Sequence, residues 1–165
     1  MRILIVSDTH RRDENFDKVI DSVGKIDMVI HCGDTEGTER IMEQTAGVTF
    51  VAVKGNNDWF SFTRMEEELK LEGHKILVAH GHTYRVHTSN DRLVEEALSR
   101  DCDIVLYGHT HVPSLSEKNG VTVCNPGSLS YPRQANRQAS YAIMNLVEGK
   151  KPEITIHYID KDPWD

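Results

Sequence analysis

Five short apolar runs in this chain each give way to a cluster of metal-ligating residue types, and this recurrence constrains the fold more than any other feature. Ile3–Val6 gives way to Ser7-Asp8-Thr9-His10, and Met28–Ile30 to His31-Cys32-Gly33-Asp34. Val48–Val53 leads into Gly55-Asn56-Asn57-Asp58, Ile76–Ala79 into His80-Gly81-His82, and Ile104–Tyr107 into Gly108-His109-Thr110-His111. The runs are short and rich in β-branched residues, which favours strands over helices. Three more runs, Val121–Val123, Tyr141–Met144 and Ile154–Ile159, read the same way.

Helical patterns separate the early runs. Phe16, Val19, Ile20 and Val23 follow the i, i+3, i+4, i+7 spacing of one helix face, and Leu93, Val94, Ala97 and Leu98 repeat it. Glu39 to Ala46 carries a weaker version. The first half thus reads β-α-β-α-β, which predicts a parallel sheet with right-handed crossovers. In the second half, Asn119-Gly120 and Glu148-Gly149-Lys150 read as hairpin turns, so the strands there are expected to be antiparallel. The expected fold class is α/β: two packed mixed β-sheets flanked by helices, with residues 1–165 forming one domain.

Loops beyond the C-terminal ends of parallel strands form the functional crevice of an α/β sheet. A single Asp after a strand is usually a cap or turn residue, and a single His a hydrogen-bonded loop group. Such local explanations would have to hold at five strand ends together. Asp8, Asp34 and Asp58, once converged, would also repel one another and resist ionisation. Cations remove that conflict. A His/Asp/Asn donor set without thiolates suits Mn, Ni, Co, Zn or Fe rather than a structural Cys-zinc site.

Composition excludes several classes. The net charge is −7 and no basic stripe is present, which argues against a nucleic-acid-binding surface. No apolar run approaches the roughly 20 residues of a membrane span. The apolar start, Met1 to Val6, stops at Ser7-Asp8 without a cleavage site, so a signal peptide is not expected and a cytoplasmic location is. Cys32, Cys102 and Cys124 are scattered and odd in number, and they read as small buried side chains in strands.

Asp8-x-His10, Gly33-Asp34, Gly55-Asn56, His80 and Gly108-x-x-His111, in that order, resemble the calcineurin-like metallophosphoesterase superfamily. The short chain and Asn125-Pro126-Gly127-Ser128 narrow the likeness to its small bacterial and archaeal phosphodiesterases. The resemblance implies a four-layer α/β/β/α sandwich and two divalent metal ions, manganese foremost, with Ni, Co, Zn, Fe or Mg as alternatives. It implies that Asp8, His10 and His111 hold one ion, that Asn56, His80 and His109 hold the other, and that Asp34 bridges them. The implied reaction is attack of a metal-bridging hydroxide on a small-molecule phosphate ester. Many members have His where this chain has Asn57, and that His is proposed to protonate the leaving group. An amide has no such proton to give, which favours diesters, or esters with good leaving groups, over monoesters.

Asn57, Asp58 and His82 are the candidate catalytic residues beyond the metal ligands. Asn57 stands at the acid position. Asp58 either supports a ligand or caps a turn, and His82 either reaches phosphate or is a loop histidine. Asn125 and Ser128 are expected to border the site, and Arg133 and Arg137 are candidates for substrate phosphate. His31, His74, His87 and His157 are expected to be non-ligands, His31 as a satisfied core group. Two alternatives compete with the diesterase. One is a phosphomonoesterase or nucleotidase. The other is a protein-binding scaffold like the retromer subunit, which resembles this family with an eroded metal site. All seven ligand positions here carry competent side chains, which favours the enzyme. Homo-oligomerisation is an open expectation, since dimers are the commonest soluble assembly.

Overall fold

The computed structural model describes residues 1–160. The last five residues of the expected domain lie outside the described part. Three strands, β1 (Arg2–Val6), β2 (Met28–His31) and β3 (Thr49–Ala52), run parallel, joined by helices α1 (Glu14–Ser22) and α2 (Glu39–Ala46). The chain then builds a second sheet from β4 (Glu66–Leu71), β5 (His74–Ala79), β6 (Ile104–Leu106), β7 (Ser114–Lys118) and β8 (Val121–Asn125), with helix α3 (Asp91–Ser99) between β5 and β6. Strands β9 (Ser140–Asn145) and β10 (Glu153–Tyr158) return to the first sheet, where β9 pairs antiparallel with β1. The strand orders are β10-β9-β1-β2-β3 and β4-β5-β6-β8-β7.

Strand alternation sets the layering, because successive side chains point to opposite faces. Ile3 and Ile5 of β1 pack with Ile30, Ile76, Val78 and Leu106, residues drawn from both sheets. Leu4 and Val6 face the other way, onto Phe16 and Val19 of α1 and Met42 of α2. In the second sheet, Leu77 and Val105 turn outward onto Leu93, Val94 and Ala97 of α3. The layers are therefore helix, sheet, sheet, helix. Each fully buried Leu, Ile or Phe side chain contributes about 1.5–3 kcal/mol through burial.

All three expected helices are present. Two strands, β4 and β7, have no counterpart among the apolar runs. Both are edge strands of the second sheet, and both are polar, Glu-Glu-Glu-Leu-Lys-Leu and Ser-Leu-Ser-Glu-Lys. An edge strand has one ladder partner, and charge on it blocks pairing between molecules, so hydropathy hides it. Asn119 and Gly120 both have positive φ (52° and 81°), as a type I′ hairpin requires, and they join β7 to β8. The second half is not wholly antiparallel: β8 pairs antiparallel with β7 but parallel with β6. All three cysteines are buried and free, but only Cys124 lies in a strand. Cys32 follows β2, and Cys102 precedes β6.

Candidate active site

The strand-end clusters of the two sheets meet at one place. Asp8 follows β1, yet its Oδ1 lies 3.2 Å from Nε2 of His111 and 3.9 Å from Nε2 of His80, both from the second sheet. Asp34 Oδ2, beyond β2, lies 3.3 Å from His80 Nε2 and 3.8 Å from His10 Nε2. Asn56 Oδ1 is 3.1 Å from His80 Nε2. Asp8, His10 and His111 each offer a ligand atom within 4.8 Å of the others, and so do Asp8, Asp34 and His80. His109 stands further back. Its backbone N–H donates to Asp8 Oδ2 at 3.1 Å, and its ring lies 5.1 Å from that of His80.

Backbone geometry explains why glycine precedes Asn56 and His109. A Cβ on Gly55 would come within 2.1 Å of Asp34 Oδ1, and one on Gly108 within 2.0 Å of Ser7 Oγ. Five of the seven candidate ligands, Asp8, His10, Asp34, His109 and His111, have φ between 48° and 67°. Left-handed backbone is uncommon for residues other than glycine and costs of order 1–3 kcal/mol each, a strain that concentrates at functional sites.

The imidazoles are held by their far nitrogens. His111 Nδ1 donates to the Tyr131 carbonyl at 2.7 Å and His80 Nδ1 to the Cys32 carbonyl at 2.7 Å. His10 Nδ1 lies 2.7 Å from Glu36 Oε1. A carbonyl only accepts, so His80 and His111 carry their protons on Nδ1; a proton shared with Glu36 gives His10 the same tautomer. With the rings neutral, each Nε2 then points a lone pair inward, and those of His10 and His111 face each other at 3.3 Å. Asp8 Oδ1 is buried beside them without a hydrogen-bond partner. Such a convergence of acceptors calls for a cation or extra protons.

Protons answer that demand when no ion does. Burial disfavours a charged His80, but Asp34 and Asp8 beside it and the Cys32 carbonyl outweigh burial and raise its pKa to about 9. Burial likewise opposes ionisation of Asp8 and Asp34. The neighbouring histidines, together with the donors from Asn57 at Asp34, overcome it and hold both carboxyls below their usual range. His109 goes the other way, pushed down to about 4 by burial and by the charge of His80. The donor set fits divalent ions: carboxylate and amide oxygens with neutral imidazole nitrogens, and no thiolate.

The remaining candidates divide by what they touch. Asn57 donates to Asp34 twice, from its backbone N–H to Oδ1 and from its amide to Oδ2, each at 2.8 Å. Asp58 is buried, and its oxygens accept from the backbone N–H groups of Asp34, Gly55 and Glu36 and from the Thr35 hydroxyl. It brackets the two loops rather than facing the converged acceptors. His82 sits in a 3-10 turn with its ring 5.4 Å from that of His80, and its buried Nδ1 lacks a partner. Asn125 donates to the Gly108 carbonyl, and Ser128 to the Asp8 carbonyl, so both hold ligand loops. His31 is a core group between Thr9 and the Gly33 N–H, and burial lowers its pKa to about 4. Of the other expected non-ligands, His74 bonds to Asp103 and His157 stacks on Tyr141, whereas the His87 ring lies 6.2 Å from that of His109. Sequence reasoning missed Glu36 and Tyr131. Glu36 lies two residues after Asp34, a usable hint, but the Tyr131 contact comes from its backbone carbonyl and has no side-chain signature.

Fold and site together define a metal-dependent hydrolase built on a two-sheet sandwich. The model of the calcineurin-like phosphoesterase superfamily domain matches residues 1–149. A probable metallophosphoesterase of Mycoplasma pneumoniae is 34% identical over 163 residues, covering 95% of this chain and 97% of the relative. A phosphodiesterase of Methanocaldococcus jannaschii is 32% identical over 145 residues, covering 77% of this chain and 83% of the relative. Among solved structures, a conserved protein of Streptococcus pneumoniae, described as a predicted phosphoesterase, superposes with a TM-score of 0.77 at 28% identity, covering 94% of this chain and 97% of that one. The chain belongs to the calcineurin-like phosphoesterase superfamily and is a metallophosphoesterase. Among the described residues, no helix is long and apolar enough to cross a membrane.

Proposed function

We propose that the protein is a dinuclear metal-dependent phosphodiesterase of the cytoplasm, acting as one domain on a small-molecule phosphate ester. The observation that carries this reading is the convergence of acceptor atoms from both sheets, with Asp8 Oδ1 buried and unpartnered among imidazole lone pairs. Asp8, His10 and His111 would hold one ion, and Asn56, His80 and His109 the other. Asp34, with Oδ2 between His80 and His10, would bridge them. Manganese is the ion we expect first, because mixed oxygen and imidazole donors suit it. Divalent ions held there supply Lewis acidity and activate water near neutral pH.

The protein's own groups do the positioning. Glu36, Tyr131 and Cys32 fix the imidazole tautomers, and Asn57 orients the bridging carboxylate. Asn57 has no proton to give a poor leaving group, which supports diesters over monoesters. The relative from Methanocaldococcus that bears the name phosphodiesterase supports the same choice.

The test strips the protein with a chelator and adds back Mn, Ni, Co, Zn or Mg. Bound metal is counted, and an aryl diester is compared with the monoester of the same leaving group. Diester turnover restored at about two ions per chain is expected. A preference for the monoester would overturn the diesterase, and one ion per chain at full activity would overturn the dinuclear centre. No activity and no bound metal would return the fold to a scaffold role.

A further inference from the structure

Beside His10 and His111 lies a cavity of about 500 Å³, completed chiefly by Tyr131, Arg133 and Arg137. The chain has a net charge of −7, yet no carboxylate is among the described residues lining this cavity. Two arginines elsewhere are held by carboxylates: Arg100 by Glu66, Glu68 and Glu96, and Arg64 by Glu67. Among the described residues, Arg133 and Arg137 have no such ion pair. A third guanidinium, that of Arg12, lies 4.5 Å from the Tyr131 ring centroid, and that ring meets His10 edge-on at 5.4 Å.

The arginine loop is tied to the metal-ligand set. The Arg133 N–H donates to the His111 carbonyl at 3.0 Å, and His111 Nδ1 donates to the Tyr131 carbonyl at 2.7 Å. Arg137 has φ of 52°, and its N–H closes a turn on the Gln134 carbonyl at 3.0 Å. Arg133 and Arg137 thus line one cavity beside His111, and planar guanidinium groups suit phosphate oxygens.

We infer that Arg133 and Arg137 form a second anion subsite, and that the substrate is a phosphodiester bearing a further phosphate group. The inference rests on the phosphodiesterase reading above. Of the candidate ligands, the cavity borders only His10 and His111, whereas Asp34, Asn56 and His80 lie outside its lining. An anion between the arginines is thus displaced to one side of the acceptor cluster. On this inference it is a different group from the phosphate being cleaved.

The test uses the metal-loaded protein and two substrates with the same scissile bond and leaving group: thymidine 5′-(4-nitrophenyl phosphate), with and without a 3′-phosphate. The 3′-phosphate should raise kcat/KM by at least about tenfold, chiefly through KM, and rising salt should shrink that advantage. Replacing both residues, Arg133→Ala with Arg137→Ala, should bring the ratio to about one, while the double Arg→Lys variant keeps part of it. A wild-type ratio near one overturns the subsite. So does a double variant that slows both substrates equally, since the arginines then serve the scissile phosphate.

Calorimetric titration with thymidine 3′,5′-bisphosphate against thymidine 5′-monophosphate reads the subsite without turnover. Arginine-dependent tighter binding of the bisphosphate, with neither diester cleaved, would keep the subsite and remove the phosphodiesterase. Diester cleavage with equal affinity for the two nucleotides would do the reverse.

Discussion

The two halves of the candidate metal centre are built to different standards of rigidity. In the half made by Asp8, His10 and His111, both imidazoles are anchored through Nδ1, to Glu36 and to the Tyr131 carbonyl, and their Nε2 atoms already converge at 3.3 Å. In the half made by Asn56, His80 and His109, only His80 is anchored, to the Cys32 carbonyl. Among the described residues, no hydrogen bond fixes the His109 ring, which lies beside the rings of His80, His82 and His87. Anchored ligands lose little freedom when an ion arrives, whereas an unanchored one must be ordered at that moment. The contrast implies stepwise loading, with the first half filling at lower metal concentration.

In the proposed centre Asp34 would belong to both halves, so its loss should have the largest effect. Asp34→Asn keeps the shape and removes the charge shared between the two histidine sets. Turnover of an aryl diester should fall by about 10³-fold or more, the scale of losing preorganised electrostatic stabilisation. The variant should still melt cooperatively. Near-wild-type turnover by the folded variant would abolish the bridging role.

Single histidine replacements test the asymmetry. Manganese titration of the wild-type protein should show two steps. His10→Ala should weaken the tighter step by about 100-fold, and His109→Ala should weaken only the looser one, by about tenfold. Equal losses in the two variants would erase the distinction between the halves. Loss of the tight step in His109→Ala would invert it.

The same contrast separates what the sequence disclosed from what it hid. The gathering of Asp8, His10, Asp34, Asn56, His80, His109 and His111 at one rim is legible because each follows an apolar run, and parallel strands deliver their C-terminal ends to one place. The helices were legible from the spacing of Phe16 and Val19, or of Leu93 and Ala97. The anchors that distinguish the halves were not legible, because two of the three are backbone carbonyls, at Cys32 and Tyr131. The left-handed backbone at five ligands was hidden too, since nothing in an Asp or a His announces positive φ. Strands β4 and β7 are hidden for a third reason: as solvated edges they carry charge and leave no apolar run.

The pH dependence of metal uptake sharpens the comparison from the second half. Without an ion, His80 has its pKa raised to about 9, so below that pH a metal must displace its proton. Apparent affinity for the ion held by His80 should fall by about tenfold for each unit below pH 9, as displacement of one proton requires. In the metal-free protein, protonated His80 stabilises the fold. That contribution is complete below the unfolded value of 6.5 and disappears as the pH rises through about 9. Metal titrations from pH 6 to 9 test the linkage, and an affinity flat across that range would mean that His80 is neutral before the ion binds.

Asn57 should give the smallest effect, for a structural reason. It grips Asp34 through two bonds, but one of them comes from the backbone N–H and survives any side-chain replacement except proline. Asn57→Ala should therefore slow diester turnover only by about three- to tenfold, the value of one hydrogen bond to a charged group that solvent partly replaces. Asn57→His is the more informative variant. It removes the same amide bond and supplies an acid that the wild-type chain lacks at this place. If protonation of the leaving group limits monoester turnover, the monoester-to-diester ratio should rise in Asn57→His and stay level in Asn57→Ala. A ratio unmoved in both would mean that the residue matters only for holding Asp34. The diester preference would then have to come from the shape of the surrounding loops, with Arg133 and Arg137 the first residues to examine.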